Sequence, residues 1–234
     1  MTHWSILRQV VLGVEDVEVA AKEVREELGL GAGFEDPMLA DIGLADHTIR
    51  VGPVAHLELV APLHADVSIA QWLAKGGGPG GYCLSIQVSD VDERAAAAER
   101  LGIRLVADLP VDGHRVVQLH PADMGLLVEL DGIADPDVWF WDAIEVPEPA
   151  APQVVDVLAV EMSSPDPQAQ AERWSAVFDV PLEEVDGTPQ LRLGERVVRF
   201  VAGERKTFTA VDLAAAPGVA PRTVQLSGVE VRVR

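Results

Sequence analysis

Val10-Val11-Leu12-Gly13-Val14-Glu15-Asp16-Val17 and Leu84-Ser85-Ile86-Gln87-Val88-Ser89-Asp90-Val91 decide the fold. Each is a short, largely aliphatic run, the pattern of a buried strand, and each ends on an aspartate that opens a helical stretch. After Asp16, residues Val17, Ala20, Ala21, Val24 and Leu28 share one helical face, with charges opposite, and Gly29 and Gly31 bracket the end. After Asp90 a second helix is predicted over 90–101. Strand candidates follow each helix, at 38–42, 47–51 and 56–60 in the first copy and at 103–107, 115–119 and 125–130 in the second. The last strands match in sequence, Leu57-Glu58-Leu59 against Val128-Glu129-Leu130. An internal repeat outranks any single motif in deciding architecture, so the sequence predicts two tandem βαβββ modules, about 5–62 and 81–132.

A third, more divergent copy is expected over 153–234. It has a strand at 154–162, a helix at 166–178 and strands at 190–193, 197–201, 207–213 and 228–233. Between them, 133–152 reads as a linker rich in Pro and Trp that packs over something. The expected domains are 1–132, carrying the site, and 153–234, structural or dimer-forming, because an unpaired module leaves a sheet edge to cover. The fold class is α+β.

Composition narrows the function. There are 18 Lys plus Arg against 38 Asp plus Glu, a net charge of −20. Such a surface repels a phosphate backbone and anionic lipid, so neither nucleic acid nor membrane is an expected partner. No apolar run approaches the roughly 18 residues that span a bilayer, and Met1-Thr2-His3-Trp4-Ser5 lacks the start of a signal peptide. The expected location is the cytoplasm. One cysteine, Cys83, allows no intrachain disulfide and no Cys-built zinc site.

The tandem βαβββ order resembles the vicinal oxygen chelate superfamily: glyoxalase I, bleomycin-resistance proteins, methylmalonyl-CoA epimerase and the extradiol dioxygenases of the dihydroxybiphenyl type. Leu119-His120-Pro121-Ala122-Asp123-Met124-Gly125 followed by Val128-Glu129-Leu130 is similar to the epimerase branch. The resemblance implies that two modules pair into an open, glyoxalase-like barrel whose concave face holds a small-molecule ligand. It also implies metal ligands on the first and last strand of each module, at Gln9, Glu58, Cys83 and Glu129. Both family histidines are absent there. A divalent ion (Mg²⁺, Mn²⁺, Co²⁺, Ni²⁺ or Zn²⁺) is the cofactor the resemblance leaves open, on Gln9, Glu58 and Glu129; with the histidines missing, the expectation leans to none.

Strand alternation supports a shared inward face for Gln9, for Cys83, Ser85 and Gln87, and for His56 with Glu58. A buried carboxylate needs a metal, a donor or a proton, and two close carboxyls suit proton abstraction beside a carbonyl. Glu129, Glu58 and His120 are therefore the expected catalytic residues. Gln9, His56, Cys83, Ser85 and Gln87 are expected to bind substrate. Asp46-His47 falls roughly where epimerases carry a glutamate on a middle strand. The glycine run 76–81 precedes a strand, not a helix, so it reads as a crossover rather than a phosphate loop. Trp139-Phe140-Trp141 reads as a cap or a subunit contact. The expected function is an isomerase, epimerase or lyase using carboxylate chemistry. A metal-free binding or resistance protein is the alternative, an inactive structural partner the third reading, and a homodimer the expected assembly.

Overall fold

Three aspartates set the local order. Asp16, Asp90 and Asp166 each accept a backbone N–H from the first turn of a helix, at 3.1, 3.0 and 3.0 Å. Each thereby satisfies a donor that the helix cannot, which stabilises the start by about 1 kcal/mol. The computed structural model describes all residues except Met1, Thr2 and Gly77. Readings that touch the extreme N-terminus and the middle of the glycine run lie outside the described residues.

In chain order, β1 (Ser5–Gly13) leads into α1 (Val17–Leu28), α2 (Pro37–Asp41), β2 (Leu44–Val51), β3 (Ala55–Pro62) and α3 (Ser68–Gly76). The strand expected at 38–42 is instead α2. Asp36 caps it through Met38 N–H at 2.9 Å and Pro37 sits in its first turn, where a missing N–H costs nothing. Next come β4 (Gly80–Val88), α4 (Val91–Arg100), β5 (Leu105–Val111), β6 (His114–Leu119), α5 (Pro121–Met124) and β7 (Leu127–Asp131). The remainder is β8 (Val154–Ser164), α6 (Pro167–Phe178), β9 (Glu183–Val185), β10 (Thr188–Leu193), β11 (Arg196–Ala202), β12 (Thr207–Ala215), β13 (Arg222–Leu226) and β14 (Val229–Val233). The expected α+β class holds.

The chain forms two compact units. The first contains the chain up to Arg8, Cys83–Ile144 and Ala159–Phe208; the second contains Gln9–Tyr82, Glu145–Leu158 and Thr209–Arg234. This differs from the expected division into 1–132 and 153–234, and the pairing shows why. In each module the first strand lies parallel to the last: β1 with β3, β4 with β7, β8 with β11. After β11 the pattern starts afresh, with β12 parallel to β14 and β13 antiparallel to it. Residues 153–234 thus hold a complete βαβββ module ending at β11 and a fourth motif without a helix. The premise of a lone third module, on which the dimer expectation rested, does not apply.

Each unit has its own core. In the first, α6 buries Trp174 and Phe178 against Phe200, with Leu84, Ile86 and Leu130 fully enclosed elsewhere. The Trp174 indole N–H donates to the Met124 carbonyl at 3.0 Å, so its polar atom is satisfied inside. In the second, Leu12, Leu28, Ile49, Leu57, Leu59 and Val231 are buried to the last percent. The segment after Glu145 packs on bare glycines of this unit: a Cβ on Gly29, Gly31 or Gly52 would lie 2.6, 2.8 and 2.1 Å from the carbonyl oxygens of Ala151, Pro147 and Val155. The linker does pack over something, and glycine is what lets its backbone approach. Among the described residues no helix is long and apolar enough to cross a membrane.

Candidate functional site

The expected site residues divide between the units. Gln9, His56 and Glu58 belong to the second; Cys83, Ser85, Gln87, His120 and Glu129 belong to the first. The repeat fixes neighbours inside a module but carries no signal for which modules share a unit.

In the second unit β1 and β3 bring Gln9 and Glu58 together. Gln9 lies opposite His56 and Val11 opposite Glu58, so Gln9 and Glu58 share a face one step apart. The Gln9 amide donates to Glu58 Oε2 at 2.7 Å. His56 is buried, its ring edge-on to Phe34 at 6.3 Å. In the first unit β4, β6 and β7 assemble a second carboxylate cluster. Ser85 lies opposite Glu129. The Ser85 hydroxyl is 2.6 Å from Asp131 Oδ2 and 3.4 Å from Glu129 Oε1, while the Gln118 amide donates to Glu129 Oε2 at 2.7 Å. Sequence reasoning misses Asp131 and Gln118; the step-two spacing after Glu129 is the signal for Asp131.

Two expected residues make structural hydrogen bonds. The Gln87 amide donates to the carbonyls of Ile133, Asp135 and Val138 at 2.9, 2.7 and 3.2 Å, and its oxygen accepts from Arg8 Nε at 2.6 Å. Arg8 also donates to the Pro136 carbonyl and stacks 5.3 Å from the Trp139 ring. Together they pin the segment after β7. Gln87→Leu is expected to lower stability by about 1–3 kcal/mol, because it strands buried carbonyls; urea unfolding with an unchanged m-value would show it. His120 caps α5, its Nδ1 accepting from Ala122 N–H at 3.1 Å. Cys83 is buried and is not part of a disulfide.

Among the described residues no group of three His, Cys, Asp or Glu is placed to hold an ion. Glu58 and Glu129 each take an amide N–H₂ as close partner, and an N–H donor is what a cation would have to displace.

The group best suited to proton transfer is Asp46, at the start of β2. Thr48 lies opposite Glu58, so Asp46 and Thr48 share the face of Glu58, with Asp46 one diagonal step away, roughly 7–8 Å on ordinary sheet geometry. Asp46 is only 4% exposed. Burial pushes its carboxyl up to about 6; the Asp36 N–H, donating to both oxygens at 3.1 and 3.0 Å, pulls back part of that, and the charges of Asp36 and Glu35 add to the rise. Asp46 lines a cavity of about 380 Å³ in this unit, with Val17, Leu44, Ala61 and Pro62 as apolar wall and Glu15, Glu18, Glu35 and Asp36 among its acids. On the facing side of β2, burial lowers the pKa of His47.

No family model matches the chain. It is 33% identical over 137 residues to the ethylmalonyl-CoA/methylmalonyl-CoA epimerase of Cereibacter sphaeroides, an alignment that covers 54% of this chain and 97% of that one. A solved structure of a hypothetical protein from Staphylococcus aureus superposes on 98% of this chain and 99% of its own length, with TM-score 0.69 and 12% identity. A variant of 4-hydroxymandelate synthase from Streptomyces coelicolor covers 92% of this chain and 72% of its own, with TM-score 0.68 and 16% identity. At those identities the two structures bear on the fold alone. The epimerase alignment carries more, and through it the chain belongs to the methylmalonyl-CoA epimerase family of the vicinal oxygen chelate superfamily.

Proposed function

We propose that the protein is an isomerase of the epimerase type that moves a proton on the carbon beside a carbonyl of a small molecule, with Asp46 as the acid/base group on one face of that carbon. One observation carries this: a nearly buried carboxyl, raised to about 6, on the wall of a cavity. Near neutral pH such a group is ionised enough to accept a proton, and its conjugate acid is strong enough to give it back. Glu58, held by Gln9, lies on the same face of the sheet. In the first unit, Glu129 with Ser85, Asp131 and Gln118 forms a cluster of similar chemistry on the other repeat.

Acyl thioesters of the kind in the relatives' names head the substrate panel, followed by simple ketones. The test is incubation in D₂O with this panel, following loss of the α-proton signal by NMR. Exchange that depends on protein and vanishes in Asp46→Asn supports the proposal. The metal-free binding protein remains the second reading, favoured by the amides that occupy both glutamates. It would show ligand-dependent thermal stabilisation with no exchange for any compound.

A further inference from the structure

The open cavity beside Asp46 has a wall of one charge sign. Its charged lining residues are Glu15, Asp16, Glu18, Glu35, Asp36 and Asp46; the others are aliphatic or proline. Among the described residues that line it, none is Lys, Arg or His. Nor, among the described residues, does any Lys, Arg or His form an ion pair with one of these six carboxyls. The N-termini of α1 and α2, which Asp16 and Asp36 cap, offset part of the charge. At roughly half an elementary charge per helix end, they leave most of it standing. Carboxyls gathered without a counter-charge repel one another and attract cations. The rise that Asp36 and Glu35 cause at Asp46 is the same repulsion felt at one group.

The wall bears on the chemistry as well as on entry. When the C–H bond beside a carbonyl breaks, the proton passes to Asp46 and the electron pair to the carbonyl oxygen. The enolate so formed is an anion in a cavity already lined by acids. Its formation is opposed for a neutral substrate and opposed more for an anionic one. A substrate that brings its own positive charge offsets this.

On the reading that Asp46 is the proton-transfer group, we propose that the substrate is a cationic carbonyl compound, carrying a substituted ammonium a few bonds from the reacting carbon. The aliphatic part of the lining covers its body, and a volume of about 380 Å³ suits a small molecule. A carboxylate on the same framework is disfavoured, because it brings a like charge to the wall.

The test uses three methyl ketones of one chain length: one ending in trimethylammonium, its tert-butyl isostere and the corresponding carboxylate. Each is titrated calorimetrically into the full chain at low and at physiological ionic strength, and each is incubated with it in D₂O. The ammonium ketone is expected to bind at least about tenfold more tightly than the isostere, and the carboxylate most weakly. The advantage should shrink as salt is added, because Glu15, Glu18 and Glu35 are exposed. Glu18→Gln combined with Glu35→Gln is expected to weaken ammonium binding about three- to tenfold and to leave the isostere within about twofold. The unchanged isostere also shows that the cavity is intact. Equal binding of ammonium and isostere, tighter binding of the carboxylate, an unaltered preference in the double variant, or no binding of any ketone overturns the proposal. The expected order of binding with no exchange in any ketone overturns the role of Asp46 instead, and the cation is then a ligand rather than a substrate.

Discussion

Asp46→Asn is expected to lower α-proton exchange by at least about a hundredfold while making the protein more stable at neutral pH. The loss follows from role: a positioned acid/base group contributes about 10²–10⁴ in rate, and an amide cannot take a proton at this pH. The gain follows from the same burial that suits the carboxyl to its task. Its pKa stands at about 6 against an ordinary 3.8, so the fold prefers the neutral form. Between those two pH values the folded chain keeps a proton that the unfolded chain has released. Stability therefore falls as pH rises through that window and stays reduced above it. The full shift corresponds to about 3 kcal/mol, and asparagine should recover about 1–3 kcal/mol of it at pH 7. It keeps an oxygen for the Asp36 N–H. Thermal unfolding of both proteins at pH 4 and pH 7 measures this. The variant should gain at pH 7 and little at pH 4. In the native protein, kcat/KM should rise with pH through about 6, as the carboxyl ionises. An unchanged exchange rate in the variant removes Asp46 from the mechanism. A variant less stable at pH 7 would mean that the ionised carboxylate is worth more to the fold than its burial suggests.

Much of the fold was legible because the repeat is written twice in the same code. Asp16 and Asp90 cap equivalent helices, and Leu57-Glu58-Leu59 and Val128-Glu129-Leu130 both lie parallel to the first strand of their module. The fourth motif was hidden because its cue is missing. After β12 the chain passes through Ala216-Pro217-Gly218 straight to β13, with no aspartate cap and no amphipathic helix to announce a new module. The helix α2 could have been read correctly, since Asp36-Pro37 is a capping signature; the short apolar run after it reads equally as a strand. α3 went unread for a similar reason, being short and ending in a glycine run.

The site was less legible than the fold. Strand alternation gave each strand its inward residues, and pairing within a module brings Gln9 to Glu58 and Ser85 to Glu129. It could not show that these pairs lie in different units, since that depends on which modules pack together. It also could not weight Asp46. In the sequence Asp46-His47 stands out only by its place near the middle-strand glutamate of epimerases, and the burial that marks the Asp46 carboxyl is seen only in the fold. Gln87 shows the opposite failure. Its inward position read as substrate binding, yet three backbone carbonyls claim its amide.

Gly52→Ala is expected to be strongly destabilising, and it tests how tightly the segment after Glu145 is held. Two penalties add at this residue. Its φ is +73°, in the left-handed region, where a Cβ costs about 1–2 kcal/mol. That Cβ would also lie 2.1 Å from the Val155 carbonyl oxygen and 3.1 Å from its carbon. Neither neighbour is the far end of a flexible side chain; both are backbone at the start of β8, so relief requires the main chain to shift, at about 1–3 kcal/mol. The expected loss is about 2–5 kcal/mol, a fall in Tm of about 5–15 °C for a chain of this size. Gly113→Ala serves as the control. It has φ +81° but nothing within 4 Å of the added carbon, so it should cost only the conformational part. The difference between the two isolates the contact with β8. Equal losses would mean that the segment yields freely at this contact.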